Sequence, residues 1–194
     1  MAIFEIEYNK TMSHEGGYSH DPHDAGGETY KGVARRYHIG WSGWKIIDSM
    51  KQENGFPRSL DNNKELQFKV LSFYKQNFWD RFQGDNIQDQ DIAGELFDTG
   101  VNMGIKRAVQ FLQQSLNYLN RNGNYYPDMA DDGVLGPGTL KCLNFYLSKD
   151  DPSLLLKIMN VLQGKHYLDY MDKSPTQEKY ARGWFNRVTL SKGY

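Results

Sequence analysis

The chain of 194 residues holds one cysteine, six prolines and no apolar run of the roughly 18 residues that a membrane span requires. The lone thiol, Cys142, excludes an intramolecular disulfide framework and suits synthesis in a reducing compartment. The opening residues, Met-Ala-Ile-Phe-Glu-Ile-Glu, lack the basic and apolar stretches of a secretory leader, so the chain is expected to be made in the cytoplasm. An excess of charge of either sign is also missing. The 23 basic and 24 acidic residues leave a formal charge of -1 and a pI near 6.5. Bulk electrostatic binding to nucleic acid or anionic lipid is thereby excluded, because both need a basic surplus. Neither an internal repeat nor a low-complexity linker is present.

Aromatic side chains are plentiful, at 14 % of the chain. Ile, Leu, Val and Phe together make up about 22 %, a little above the level at which chains stay disordered. Disorder also demands high net charge and few rings, so this chain folds around an aromatic-rich core. A mean hydropathy of -0.73 beside so many rings suits a wet groove for a polar ligand with flat apolar faces, such as a sugar.

The apolar spacing is helical over most of the length. Phe4, Tyr8 and Met12 recur every fourth residue, and Gly16-Gly17 is the stop signal that follows, which puts Glu15 in the last turn. Residues 18–60 carry Gly, Asp, His and Trp with little period and predict loop, short strands and short helices. Helices are predicted over about 63–80 (Leu66, Val70, Phe73 and Asn77 on one face, Phe68 adjoining) and 92–103, and from Ile105 to Leu119. Two more open at Gly136-Pro137 and Asp151-Pro152, with proline at the first helical position. The polar stretch at 86–91 is the candidate boundary between an N-terminal lobe, residues 1–90, and a helical C-terminal lobe, residues 91–194.

The chemistry concentrates between Ser13 and Val33. A carboxyl at the carbonyl end of a helix meets the negative end of the dipole, which favours its protonated form. A retained proton is what a general acid needs, and Glu15 has the two glycines after it to leave room for a bulky substrate. A second carboxylate, Asp24 or the competing Asp21, lies in the glycine-bounded loop that follows, with Thr29 beyond it. Two carboxyls in unlike environments are the minimum for cleaving a glycosidic bond. Each taken singly also has a plainer reading, as a helix-end decoration or an Asx turn.

The segments Glu15-Gly16-Gly17-Tyr18, Asp21-Pro22 and Gly26-Gly27-Glu28-Thr29-Tyr30-Lys31-Gly32-Val33 resemble the signature of glycoside hydrolase family 108. The resemblance continues through Phe78-Trp79-Asp80-Arg81-Phe82, Ala93-Gly94-Glu95-Leu96-Phe97-Asp98 and Val101-Asn102-Met103-Gly104. Ala108, Leu112-Gln113, Asn117 and Asp132-Gly133-Val134-Leu135-Gly136 are similar to the family's C-terminal peptidoglycan-binding region. It implies a mainly α, lysozyme-like fold, with the N-terminal catalytic lobe packed on the helical C-terminal lobe. The implied activity is a muramidase cleaving the β-1,4 bond between N-acetylmuramic acid and N-acetylglucosamine, with Glu15 as the catalytic glutamate and peptidoglycan glycan strands as partner. Relatives come from phages or are linked to protein export, which implies endolysin or secretion-activator roles, action at the cell wall, and a holin-like or export partner to reach it. Phage lysozymes space Glu, eight residues, Asp or Cys, five residues, Thr. Here Glu15 and Asp24 keep the first interval, but only four residues separate Asp24 from Thr29. If Asp24 acts across a water, the carboxyls should lie about 6.5–9.5 Å apart and the reaction should invert. With no second carboxylate in reach, the same Glu15 would serve a lytic transglycosylase, and without turnover the chain would be a wall-binding or secretion-assisting module.

Tyr18, Tyr30, Trp41 and Trp44 fall in or beside the glycine-rich region, where rings could carry the C–H faces of sugars, and Asn102 could face the cleft or cap its helix. Trp79 and Trp184 read as core. No cofactor is expected, since general acid/base work on an acetal needs none. No metal is expected either, because His14, His20, His23 and Asp24 lack zinc-ligand spacing, and the Asp128–Gly133 segment lacks that of a calcium loop.

Overall fold

Phe4 and Tyr8, one turn apart, are both buried and form the inner edge of helix α1 (Phe4–Met12). The helix closes sooner than the glycine pair predicts. Ser13 turns its hydroxyl onto the Lys10 carbonyl at 2.6 Å, so a side chain takes up the helix's carbonyl end. The reading of Glu15 as a last-turn residue falls outside the described residues. The computed structural model describes residues 1–13, 16–20 and 26–189, and these divide into two units, Phe4–Asn77 and Met1–Ile3 with Phe78 onward.

In the first unit, β1 (Tyr18–His20), β2 (Glu28–Tyr30) and β3 (Val33–Ala34) make an antiparallel sheet in that order, with Tyr18 opposite Tyr30 and Tyr30 opposite Val33. Lys31 and Gly32 join β2 to β3 with φ of 42° and 75°. Two consecutive left-handed residues give the primed turn whose twist matches a two-residue hairpin. Lys31 is held in that conformation by the Tyr74 hydroxyl, which donates to its carbonyl at 2.9 Å, and by its own ammonium on Gln67 at 2.7 Å. Helix α2 (Gly43–Met50) buries Trp44, Ile47 and Met50. The Asn63 side chain accepts from the Leu66 N–H at 2.9 Å and starts α3 (Lys64–Tyr74), which buries Leu66, Val70, Phe73 and Tyr74. A single π-helical turn, Lys75–Trp79, continues its path. Asn77, expected on the buried face, is exposed there, and Phe68 is 67 % exposed.

The second unit is helical. Asp89 accepts from the Ile92 N–H and opens α4 (Gln90–Met103); Gly104, at φ 88°, separates it from α5 (Ile105–Tyr118). Helices α6 (Pro137–Leu147), α7 (Pro152–Lys173) and α8 (Ala181–Phe185) follow, α7 capped by Asp151 as the sequence predicts. Helix α4 packs on α5 and α7 around Ile92, Leu96, Phe97, Leu112, Leu116 and Leu155. Gly100 lets the Phe82 ring, from the turn before α4, lie against this helix, because a Cβ there would be 2.3 Å from that ring. The first three residues belong to this unit: Ala2 N–H donates to the Ile87 carbonyl at 2.9 Å and Ile3 N–H to Gln90 Oε1 at 2.7 Å.

The seam between α4 and α7 is polar. Glu95 accepts from Thr99 at 3.0 Å and from Asn160 at 2.9 Å, and Gln163 donates to Thr99 at 3.0 Å. Burial lifts the Glu95 carboxyl to about 7 despite those bonds. The chain beyond α8 is fastened here too, by Arg187 on Asp98 at 2.6 Å and the Thr189 N–H on Asn160 Oδ1 at 2.6 Å. The mainly α class expected from periodicity is the class the chain adopts.

Candidate active site

Alternation along β2 sends Glu28 and Tyr30 inward and leaves Thr29 half-buried on the opposite face, across from Ser19. The Thr29 hydroxyl lies 3.5 Å from the Gly27 carbonyl. Glu15, Asp21 and Asp24, the expected acid and its two candidate partners, lie outside the described residues, as do His14 and His23. The segments on either side of them are defined: the carbonyl end of α1 before Glu15, and the paired strands β1 and β2 before and after residues 21–25.

Glu28, quoted in the motif but given no role by the sequence, is the best-defined carboxylate of this region. It is 7 % exposed. It accepts from the Tyr18 hydroxyl at 2.9 Å, from Arg35 at 2.5 Å and from Lys51 at 2.8 Å. Asp48 bridges the same Arg35 and Lys51. Burial alone would raise the Glu28 carboxyl; bonds from Lys51, Tyr18 and Arg35 outweigh it and hold the group below its ordinary value. Arg35 likewise draws Asp48 down to about 2. A carboxylate held ionised by two cations cannot deliver a proton near neutrality. Glu28 is thus a fastener, tying β2 to β1 through Tyr18, to the segment after β3 through Arg35, and to the end of α2 through Lys51. Asp48 and Lys51 are far from the motif in sequence, and no spacing rule points to them or to Arg35, two residues past its end.

The expected aromatic residues separate into two groups. Tyr30 is 1 % exposed, its hydroxyl between Asp61 and Gln67 at 3.2 and 2.9 Å, and burial pushes its pKa up to about 12. Trp44 is 2 % exposed, its indole N–H on the His38 carbonyl at 2.9 Å and the Arg35 guanidinium 4.8 Å from its ring. Protein covers the faces of both rings, so neither offers a stacking surface, contrary to the expectation for them. Tyr18 is half-buried, edge-on to Phe56 at 4.8 Å. Trp41 is the ring that reaches a groove.

That groove, of about 510 Å³, lies within the first unit between the His38–Ser42 turn and the outer face of α3. His38, Trp41, Phe68 and Phe73 supply rings, and Ser42, Ser72, Gln76 and Asn77 supply hydroxyl and amide groups. Trp41 stands edge-on to Trp44 at 5.2 Å and directly over Gly43, where a Cβ would meet its six-membered ring at 2.3 Å. Lys69 adds one cation to the lining, paired with Glu65 at 3.3 Å, and flat rings bordered by hydroxyl and amide groups are the chemistry that holds a pyranose. Phe68 could have been found from the helical period, since it stands off the Leu66–Val70–Phe73 stripe; His38 carries no such signal.

Asn102 lies in the second unit, exposed in the last turn of α4, with its amide donating to the Asp98 carbonyl at 2.8 Å. Gly104, not Asn102, is the residue that ends the helix. Trp79 is core, 1 % exposed, while Trp184 is half-buried against Tyr167. Among the described residues no group of three or more His, Cys, Asp or Glu is placed to hold a metal ion. Among the described residues no helix is long and apolar enough to cross a membrane. Asp132 accepts from the Val134 N–H at 2.8 Å and from Gln113 at 2.9 Å, which makes its segment a closed turn.

A sequence model of the family described as Glycosyl hydrolase 108 matches residues 8–104, and one described as Predicted Peptidoglycan domain matches residues 107–189. The solved structure of Brucella abortus SagA is similar in fold, with a TM-score of 0.60 at 22 % identity over 95 % of this chain and 88 % of that one. No curated protein is close enough in sequence to match.

Proposed function

Since the chain belongs to the Glycosyl hydrolase 108 family and carries a peptidoglycan domain, and so is a peptidoglycan-acting glycosidase, we propose that it is a muramidase cleaving the β-1,4 bond between N-acetylmuramic acid and N-acetylglucosamine. Glu15 is the general acid, and Asp24, in preference to Asp21, the partner carboxylate. The observation that carries this reading is the state of Glu28. It is the one carboxylate of the Tyr18–Val33 segment whose bonds are described, and two cations keep it ionised, which removes it as a proton donor and supports giving that role to Glu15. In sequence Glu15 comes three residues after α1 ends, and a carboxyl held near a helix's carbonyl end is favoured in its protonated form. The acid protonates the departing glycosidic oxygen, and Asp24 activates water on the opposite face of the sugar. The groove beside Trp41 supplies stacking for a neighbouring pyranose. The protein acts at the cell wall, and an export or lysis partner delivers it there.

Digestion of purified peptidoglycan tests the assignment. Glu15→Gln should lose at least about 10²-fold in muropeptide release, the low end of what a positioned proton donor contributes. Asp24→Asn should lose more than Asp21→Asn. Mass spectrometry should find reducing ends; products lighter by one water would make the protein a transglycosylase. Unchanged release by Glu15→Gln would overturn the reading.

A further inference from the structure

The second unit holds a pocket of its own, about 290 Å³, where the end of α4 and the start of α5 face α7 and α8. Asn102 and Arg107 line one side, and Tyr170 and Trp184 give it ring surfaces. Trp184 stacks on Tyr167 at 5.1 Å with planes 10° apart and lies 5.9 Å from Tyr170. Tyr167, which also lines the pocket, is 4 % exposed, and its buried hydroxyl has no hydrogen-bond partner among the described residues. A buried donor left over is a cost unless a ligand takes it up.

Arg107 sets the charge. It sits in the first turn of α5, where the helix dipole adds to its own positive potential. Its recorded partner is His166 Nδ1 at 3.2 Å. Burial, then the Arg107 charge, lowers the His166 pKa, so the imidazole is neutral and accepts the guanidinium N–H. Among the described residues no carboxylate pairs with Arg107. The neighbouring acids are engaged elsewhere, Asp98 by Arg187 and Asp169 by Lys165. An uncompensated guanidinium beside flat rings is a receptor for an anion attached to an apolar or sugar body.

We propose that this pocket binds a carboxylate of the peptidoglycan peptide stem, with Arg107 as the anion partner and Trp184 and Tyr170 taking the apolar faces of the same fragment. The assignment rests on the peptidoglycan reading above and gives it a second, chemically different contact: neutral sugar at Trp41, charged stem at Arg107. Calorimetry on the full chain, blocked by Glu15→Gln, tests it with three ligands. These are a disaccharide–peptide fragment with free carboxylates, the same fragment amidated, and an N-acetylglucosamine oligomer. Adding Arg107→Gln should weaken the free-carboxylate fragment at least about tenfold, as expected for loss of a charge-assisted bond, and leave the other two as they were. The retained ligands show that the fold survives. Equal affinity for the free-carboxylate fragment with and without Arg107, or equal loss for all three ligands, overturns the proposal. A wild-type protein that cleaves the wall yet shows no such discrimination sinks this pocket alone, whereas failure to cleave sinks the muramidase reading and leaves the binding result standing.

Discussion

At the scale of single residues, Glu28 and Gly43 each bear a consequence that can be measured. Replacing Glu28 by Gln strips Arg35 and Lys51 of their most buried partner, with Asp48 remaining at the exposed end. Because both cations are part-exposed, the loss should be about 2 kcal/mol, below that for a fully buried pair. The sign with pH follows from the lowered carboxyl: its stabilisation is present above the ordinary glutamate value and disappears as acid protonates it. Thermal melting should therefore show wild type and Glu28→Gln converging below about pH 4. At Gly43 a methyl group would strike the Trp41 ring, so Gly43→Ala should cost about 1–3 kcal/mol. It should also weaken glycan binding through the displaced indole, read by tryptophan fluorescence on titrating an N-acetylglucosamine oligomer. Of these residues the sequence displayed Glu28 and its partner Tyr18 within a motif but nothing of the link to Arg35, Asp48 and Lys51, since a charge cluster closed by tertiary packing leaves no periodic trace. Tyr30 and Trp44 misled in the opposite direction, because aromatic composition does not say which face of a strand or helix a ring occupies.

Among the elements, α4, α5, α6 and α7 were legible because apolar residues recur at three- and four-residue intervals and their starts carry recognisable signals, Pro137 and Asp151-Pro152. The end of α1 was not, because the Ser13 hydroxyl closes it ahead of the glycines. The polar seam of α4 with α7 was also hidden, for Thr99, Asn160 and Gln163 look like surface positions until they meet. The carboxyl that this seam encloses should make stability depend on pH. Its value rises from 4.5 to about 7 on folding, so the native state holds the proton between those limits and stability falls as pH rises through them. The full effect is roughly 3 kcal/mol by linkage. Melting wild type and Glu95→Gln from pH 4.5 to 8 should show the wild type losing ground steadily, and parallel curves would contradict the buried-acid account.

Across the whole molecule, the chain begins in one unit, builds the other, and returns. Met1–Ile3 close onto Ile87 and Gln90, while Phe4–Asn77 form a separate unit with its own sheet and core. Deleting residues 1–3 removes the Ala2 and Ile3 bonds to that second unit. It should lower the melting temperature of the helical part by about 4 °C for each kcal/mol lost, while leaving the Glu28 cluster intact. Hydrogen exchange should show the change at α4 and spare β2. In topological terms the sheet-bearing unit is an insertion into the helical one. A fusion partner or fluorophore joined at the outward-facing Met1 is therefore tethered to the half that carries Arg107, and its rotational signal will report ligand capture there rather than bond cleavage.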